Sequence, residues 1–112
     1  MDQDESSYLV KALGGSPMVK VIDFLLENKI FDFTKVEIAQ GSDISRITLE
    51  KIWPNLDDTG VLIETRRIGN GVLYTLNRES PVIRKLAELD RILTKRGTEE
   101  LLYKKRSALA PA

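Results

Sequence analysis

The chain of 112 residues has the length of one compact domain, and its 42% of apolar residues is enough to build a core. It contains no cysteine and no histidine, which excludes disulfides, thiolate metal sites and histidine-based catalysis, so no metal or other cofactor is expected. The formal net charge is zero, but the charges are unevenly distributed. Residues 1–60 carry six basic and eleven acidic side chains, whereas residues 61–112 carry eleven basic and six acidic ones. This asymmetry indicates a polyanion-binding surface in the second half.

No apolar run approaches the roughly 18 residues that a membrane-spanning helix requires. The first residues, MDQDESSYLV, are acidic where a secretory signal would be basic. The sequence has no repeat and no low-complexity linker. We therefore expect a cytoplasmic protein with no membrane partner, built as a single domain over 1–112 with its core over about 17–78.

Helix-capping residues divide the first part of the chain. A helix over 5–13 has one apolar side, formed by Tyr8, Leu9, Ala12 and Leu13. After the helix breaker GGSP, Ser16 and Pro17 suit the N-cap and the first position of a second helix, through about Asn28. The apolar residues of that helix follow the helical period at Met18, Val21, Ile22, Leu25 and Leu26.

The segment IFDF predicts a small extended strand before the next helix. Thr34 and Glu37 form a capping box, which begins a short helix through about Gln40. Val36 and Ala39 are expected to face inward from it. The residues GSD then turn the chain.

Ser45 caps the following helix, and Gly60 suits the left-handed residue that ends it. At about 100° per residue, one face of this helix is an apolar stripe of Leu49, Ile52, Trp53 and Leu56. The opposite face carries Ile47, Lys51, Pro54 and Asp58. Pro54 lies past the first two turns, where it bends the helix on its solvent side without disturbing the stripe.

After Gly60 the period changes from helical to extended. VLIETRRI and VLYTLN predict two strands, and the GNG between them contains Asn-Gly, a strong hairpin signal. A last helical region over 81–106 begins at Ser80 and Pro81, is interrupted by Gly97 and continues in TEELLYKKR. Its apolar residues form a coiled-coil-like seam of Val82, Leu86, Leu89 and Leu93.

This order of elements predicts a mainly α fold with a small antiparallel β-hairpin, a winged helix-turn-helix with helical extensions at both ends. The stretch VEIAQGSDISRITLEKIWPNLDDTGVLIETRRIGNGVLYTLN resembles winged-helix transcriptional regulators, broadly those grouped with the multiple-antibiotic-resistance and arsenic-resistance repressors. The motif YTLNRESPVIRKL is similar to small archaeal members. The resemblance covers roughly 17–95 and implies DNA binding, although some winged helices bind only protein.

The helix after GSD is the expected recognition helix, because a helix in a major groove presents its N-terminal exposed residues to base edges. Ile47 would pack on a thymine methyl group, and Arg46 and Lys51 would reach phosphate or guanine. Ser45 and Thr48 would donate to phosphate. The hairpin would lie on the backbone or in the minor groove through Arg66, Arg67 and Asn70, with Arg78 following its second strand.

We therefore expect a transcriptional regulator that binds specific double-stranded DNA and is not an enzyme; the sequence gives no indication of a small-molecule effector. The alternative is a winged helix used as a protein-interaction or assembly module, in which Ile47 is a surface aliphatic or a protein contact and the arginines only protect the hairpin edge.

A homodimer through the terminal helices is expected, with Tyr8, Leu9, Leu13, Val82, Leu86, Leu89 and Leu93 at its interface. The alternative for that last helix is packing on its own domain.

Overall fold

A computed structural model of the chain describes residues 7–109. Its elements in chain order are helices α1 (Tyr8–Leu13), α2 (Pro17–Glu27), α3 (Lys35–Ser42) and α4 (Arg46–Asp58), strands β1 (Leu62–Ile68) and β2 (Gly71–Leu76), and helix α5 (Pro81–Leu109). The predicted fold class, mostly helical with one antiparallel hairpin, is confirmed. The first two residues of the predicted 5–13 helix and the end of the SALAPA tail lie outside the described residues.

The predicted caps begin helices α2 and α3. Ser16 caps α2, and its side chain accepts a hydrogen bond from the backbone N–H of Val19 at 3.3 Å. The capping box of α3 is complete, because the N–H of Thr34 donates to Glu37 Oε1 at 2.8 Å and the N–H of Glu37 donates to Thr34 Oγ1 at 3.2 Å. These local signals fix where α2 and α3 start.

The end of α3 differs from the prediction. Gly41 was assigned to a turn after Gln40, but α3 continues to Ser42. A Cβ atom at Gly41 would overlap the ring of Phe24, so the glycine allows α2 and α3 to approach closely. The turn into α4 is made instead by Asp43, whose φ of 58° and ψ of 47° are left-handed, a conformation that Asp tolerates better than most side chains.

The inward face of α3 was also predicted only in part. Ala39 is buried as expected, but Val36 is 44% exposed. Ile38 is fully buried in its place. The helix packs on α2 and α4 through its second half, which turns Val36 toward solvent near the hairpin.

The hairpin is antiparallel, with Ile68 paired to Gly71 across a two-residue loop. Gly69, with φ of 60°, and Asn70 form that loop, and of the two only Gly69 has a positive φ. This is the type II′ pattern, with glycine at the first central position; the sequence placed the turn at Asn-Gly, one residue later. The IFDF segment forms no regular strand, and Phe33 makes a single antiparallel bridge to Tyr74 of β2.

The core lies between α1, α2, α3, α4, the base of the hairpin and the first turns of α5. Its fully buried large side chains are Leu9, Val21, Leu25, Ile38, Leu49, Leu56, Val61 and Ile83. The predicted stripe of α4 supplies Leu49 and Leu56, with Ile52 and Trp53 partly buried against the core. Pro54 lies inside α4 on its exposed face, as predicted.

Helix α5 is continuous for 29 residues, so the predicted interruption at Gly97 is wrong. Gly97 lies inside the helix, where a Cβ atom would overlap the ring of Tyr8. The glycine therefore serves as a contact point between α1 and α5. None of the helices between residues 7 and 109 is long and apolar enough to cross a membrane.

Several residues assigned to a dimer interface contact the chain's own core instead. Leu9 is fully buried, and Leu86, Leu89 and Leu93 pack partly against the same cluster. Their packing follows from the docking of α1 on α5. Val82 and Leu13 remain about half exposed, at 52% and 49%.

Candidate nucleic-acid interface

The first turn of α4 presents two hydroxyl groups. The Ser45 side chain accepts a hydrogen bond from the backbone N–H of Thr48 at 3.0 Å and donates to Thr48 Oγ1 at 2.9 Å. This cap fixes the start of the helix and holds both hydroxyls at its N-terminus. A helix N-terminus with hydroxyl groups is a favourable position for an anion such as a backbone phosphate.

Ile47 projects from the same turn and is 72% exposed. It lies in a shallow depression of about 380 Å³ that is lined by Arg46, Ile47, Glu50 and Lys51. Lys51 makes no ion pair among the described residues. The lining of this depression therefore combines one large aliphatic side chain with two cations and one carboxylate.

Glu50 binds cations from two helices. Its carboxylate accepts from Lys35 Nζ at 3.3 Å and from Arg46 Nη2 at 3.2 Å. Hydrogen bonds from Arg46 and then Lys35 hold the pKa of Glu50 below its usual range. Lys35 also lies over the ring of Trp53, with Nζ 4.3 Å from its centroid. We call these three charged residues, Lys35, Arg46 and Glu50, the ion cluster.

A groove of about 480 Å³ runs between the start of α3, the start of α4 and the tip of the hairpin. It is lined by Thr34, Lys35, Val36, Arg46, Asn70, Gly71, Val72 and Tyr74. Two residues predicted from distant parts of the sequence, Arg46 and Asn70, therefore share one groove. The base of this arrangement is fixed by Tyr74, which bridges to Phe33 and makes a T-shaped contact with Trp53 at 4.8 Å between ring centroids.

The two hairpin arginines are held by carboxylates. At a β-bulge between Glu64 and Arg66, Thr65 Oγ1 donates to Asp32 Oδ2 at 2.7 Å. Arg66 binds the same carboxylate through two nitrogens, with Nε at 2.9 Å from Oδ2 and Nη2 at 3.2 Å from Oδ1. The hydrogen bonds from Arg66 and then from Thr65 lower the pKa of Asp32 to about 2. Arg66 thus joins the hairpin to the segment before α3.

Arg67 pairs with Glu64 of its own strand, with Nε 3.2 Å from Oε2, and its side chain is 69% exposed. It lies nearer the tip than Arg66 and on the opposite side of β1. Of the predicted hairpin residues, Asn70 shares the groove with α4, Arg67 remains exposed, and Arg66 is directed to Asp32.

Sequence reasoning missed Thr34, Lys35 and Val36 as members of this surface. The capping box located the start of α3 but carried no information about its neighbours in space. The missing information is tertiary: the Phe33–Tyr74 bridge and the contact of Lys35 with Glu50, fifteen positions later, bring this segment to the hairpin and to α4.

A second group of carboxylates lies away from this surface, between α2 and α5. Burial raises the pKa of Asp90 and of Glu27, and the nearby charge of Asp23 raises both further. Asp23 Oδ1 is buried without a hydrogen-bond partner. Lys29 and Arg91 partly offset the shift at Asp90. Within the described residues, no group of three or more potential ligands is placed to hold a metal ion.

No model of a known protein family matches the sequence, and no curated protein does. Solved structures do match the fold. The structure of NadR in complex with 4-hydroxyphenylacetate has a TM-score of 0.61 at 19% identity, covering 91% of this chain and 72% of NadR. Sso10a-2, a DNA-binding protein from Sulfolobus solfataricus, has a TM-score of 0.50 at 15% identity, covering 83% of this chain and 96% of Sso10a-2.

A third match is Lactococcus lactis ZitR, described as a zinc-responsive MarR family member. Wild-type ZitR in complex with DNA has a TM-score of 0.54 at 18% identity, covering 76% of this chain and 60% of ZitR. The chain thus spans less than two thirds of the length of ZitR. Together these likenesses show that the chain has a winged-helix fold, and the resemblance to winged-helix regulators is confirmed at the level of the fold.

Proposed function

We propose that this chain binds double-stranded DNA as a transcriptional regulator, with the N-terminus of α4 in the major groove and the hairpin on the backbone or in the minor groove. The observation that carries the proposal is the groove shared by Arg46 and Asn70, beside the exposed Ile47. A winged helix bound to DNA uses both elements at once. The neighbours ZitR, solved with DNA, and Sso10a-2, described as DNA-binding, support this use of the fold.

The contacts divide by chemistry. Ile47 packs on a thymine methyl group and contributes sequence preference. Ser45, Thr48 and Lys51 bind phosphate, and Arg46 binds phosphate or guanine. On the hairpin, Arg67 and Asn70 contact the DNA backbone or the minor groove. Arg66 is paired with Asp32, so it contributes less to DNA binding than its charge suggests.

A salt titration of binding to a random duplex tests the proposal. Affinity should fall steeply as salt is added, because cations on the protein release counterions from DNA. Arg67→Ala should make the log–log slope shallower by about 0.9 per chain, the value for one lost phosphate contact. Arg84→Ala is the matched control, since Arg84 also pairs with a glutamate, Glu79 at 3.4 Å, but lies in the first turn of α5, outside the hairpin. Equal slopes for the Arg67 variant and wild type would show that Arg67 makes no phosphate contact.

A homodimer is part of the proposal, with a revised interface. Every residue of α5 from Thr98 to Leu109 is exposed, and the large apolar side chains there are Leu101, Leu102, Tyr103 and Leu109. The partly buried residues of the predicted seam already pack on α1 and the core. The second copy would therefore pack on this distal half of α5, together with the exposed Val82 and Ile92. Two copies would provide two recognition helices, one for each half-site on the DNA.

The second candidate, a protein-interaction module, is favoured by one observation. Arg46, Arg66 and Arg67 each pair with a carboxylate of this chain. Such pairing reduces the field that attracts DNA. Binding to random duplex that is absent at low salt would make this candidate the better one.

A further inference from the structure

The ion cluster is a place where an anion is already bound by two helices of the helix-turn-helix. Lys35 is the first residue of α3 and Arg46 the first residue of α4. The Glu50 carboxylate lies between them, 3.3 Å from Lys35 Nζ and 3.2 Å from Arg46 Nη2. The two cations come from separate elements and converge on a single anionic group.

The cluster is solvent-accessible. The side chains of Arg46 and Glu50 are 48% and 47% exposed, and that of Lys35 is 28% exposed. Lys35 and Arg46 line the groove toward the hairpin tip, whereas Arg46 and Glu50 line the depression around Ile47. An external anion can therefore approach both cations from the face that carries the proposed DNA contacts.

The exchange of one anion for another is balanced in charge. An exposed ion pair contributes little to stability, so the Glu50 carboxylate is a weak competitor for its cations. A phosphodiester group carries one negative charge and two accepting oxygens, and Arg and Lys bind it readily. Once displaced, the carboxylate remains close to the phosphate and repels it.

We propose that Lys35 and Arg46 form a phosphodiester-binding site that Glu50 occupies in the free protein, and that DNA binding replaces the carboxylate with a backbone phosphate. Glu50 thereby limits the affinity for DNA of any sequence, and binding depends more on base contacts such as that of Ile47. This inference rests on the proposed DNA-binding function and assigns to it a residue that opposes binding.

Glu50→Gln is the direct test, because glutamine keeps the size of the side chain and removes its charge. The variant should bind random duplex about five- to tenfold more tightly at 0.1 M salt. Its log–log slope should be steeper by about 0.9 per chain, because the loss of one negative charge lets the site neutralise one more charge of the DNA. In a background with Lys35→Gln and Arg46→Gln the same substitution should give a clearly smaller gain, because only the repulsion between the carboxylate and DNA is left to remove; an equal gain would overturn the site. Glu79→Gln is the matched control, since it also releases an arginine from an exposed pair but away from this face.

Trp53 gives a second readout. It is the only tryptophan of the chain, and Lys35 Nζ lies 4.3 Å from its ring centroid. Movement of Lys35 to a phosphate should change the Trp53 emission of wild type on binding DNA. In Glu50→Gln the same emission change should occur at a DNA concentration that is lower by the factor by which the affinity rises.

The outcomes separate the two proposals. If wild type binds random duplex and Glu50→Gln binds with the same affinity and slope, the phosphate site is wrong and the DNA-binding proposal stands. An equal gain in DNA affinity for Glu79→Gln would show that the effect comes from net charge, and the proposed phosphate site would be wrong. If neither wild type nor Glu50→Gln binds at low salt, both proposals fail.

Discussion

Ile47 is the residue on which sequence preference should depend most. It is a β-branched aliphatic side chain with 72% of its surface exposed in the first turn of α4. Ile47→Ala should cost roughly 1 kcal/mol or more in binding to the preferred DNA site through loss of a thymine contact. Because no charge changes, the salt dependence should stay the same.

The control for Ile47 is Ile30→Ala, since Ile30 is also 72% exposed but lies in the loop after α2. Affinities are measured by fluorescence anisotropy on a selected site and on random duplex. A loss that is equal on both duplexes would show that Ile47 contributes no preference for sequence.

The residue scale also shows what local sequence information can predict. The positions of Ser45 and Ile47 were predicted correctly because an N-cap and a helical period are properties of a few adjacent residues. The partners of Arg66 and Lys35 were not predicted. Asp32 lies 34 positions before Arg66, and Glu50 lies 15 positions after Lys35. No spacing rule connects such pairs, because only the assembled fold brings them together.

At the scale of the elements, Gly97 determines how α1 docks on α5. Replacing an interior helical glycine with alanine normally stabilises a helix by about 1 kcal/mol. Here the added Cβ would overlap the Tyr8 ring, so Gly97→Ala should lower the free energy of unfolding. In a Tyr8→Ala background the same change should raise it by about 1 kcal/mol.

A double-mutant cycle in urea measures this sign change. The four proteins are wild type, the two single variants and the double variant. Stabilisation by Gly97→Ala in both backgrounds would mean that the Tyr8 ring can move aside at no cost.

The contact between α2 and α5 should depend on pH through Asp90. Its pKa is raised, first by burial and then by Asp23, so its ionisation opposes folding. The cost is absent below the unfolded pKa of 3.8 and grows as pH rises through the higher folded value. Asp90→Asn should therefore raise Tm at pH 7, because the variant has no charge to desolvate. Thermal melts at pH 7 and pH 3.5 check this, and an equal gain at both would contradict it.

The elements themselves were largely predictable, and their ends were less so. Capping residues gave the starts of α2, α3 and α4, because each cap is a local hydrogen bond. Two glycines were misread as helix breakers. Gly41 and Gly97 lie inside helices, since each accommodates an aromatic ring from another element. The propensity of glycine to end a helix was overridden by packing that the sequence alone does not display.

At the scale of the whole molecule, the shape is set by α5. Its 29 residues correspond to about 43 Å of helix, and the molecule measures 63 × 31 × 22 Å. The first half of α5 packs on the core, and the second half extends beyond the contact of Gly97 with Tyr8. The seam in the sequence lies in the first half of α5, and the sequence could not show that the chain's own core and α1 cover most of that half.

The exposed half of α5 leads to the last prediction. Wild type should have a mass in solution of twice the 12.7 kDa of one chain, because pairing would cover Leu101 and Leu102, which are 54% and 55% exposed. Leu101→Asp together with Leu102→Asp should give monomers with unchanged core stability, since neither side chain is in the core. Ile30→Asp is the control for adding charge at an exposed aliphatic position. The check is light scattering at tens of micromolar; a monomeric wild type would refute the dimer, and a dimeric double variant would place its interface outside the distal half of α5.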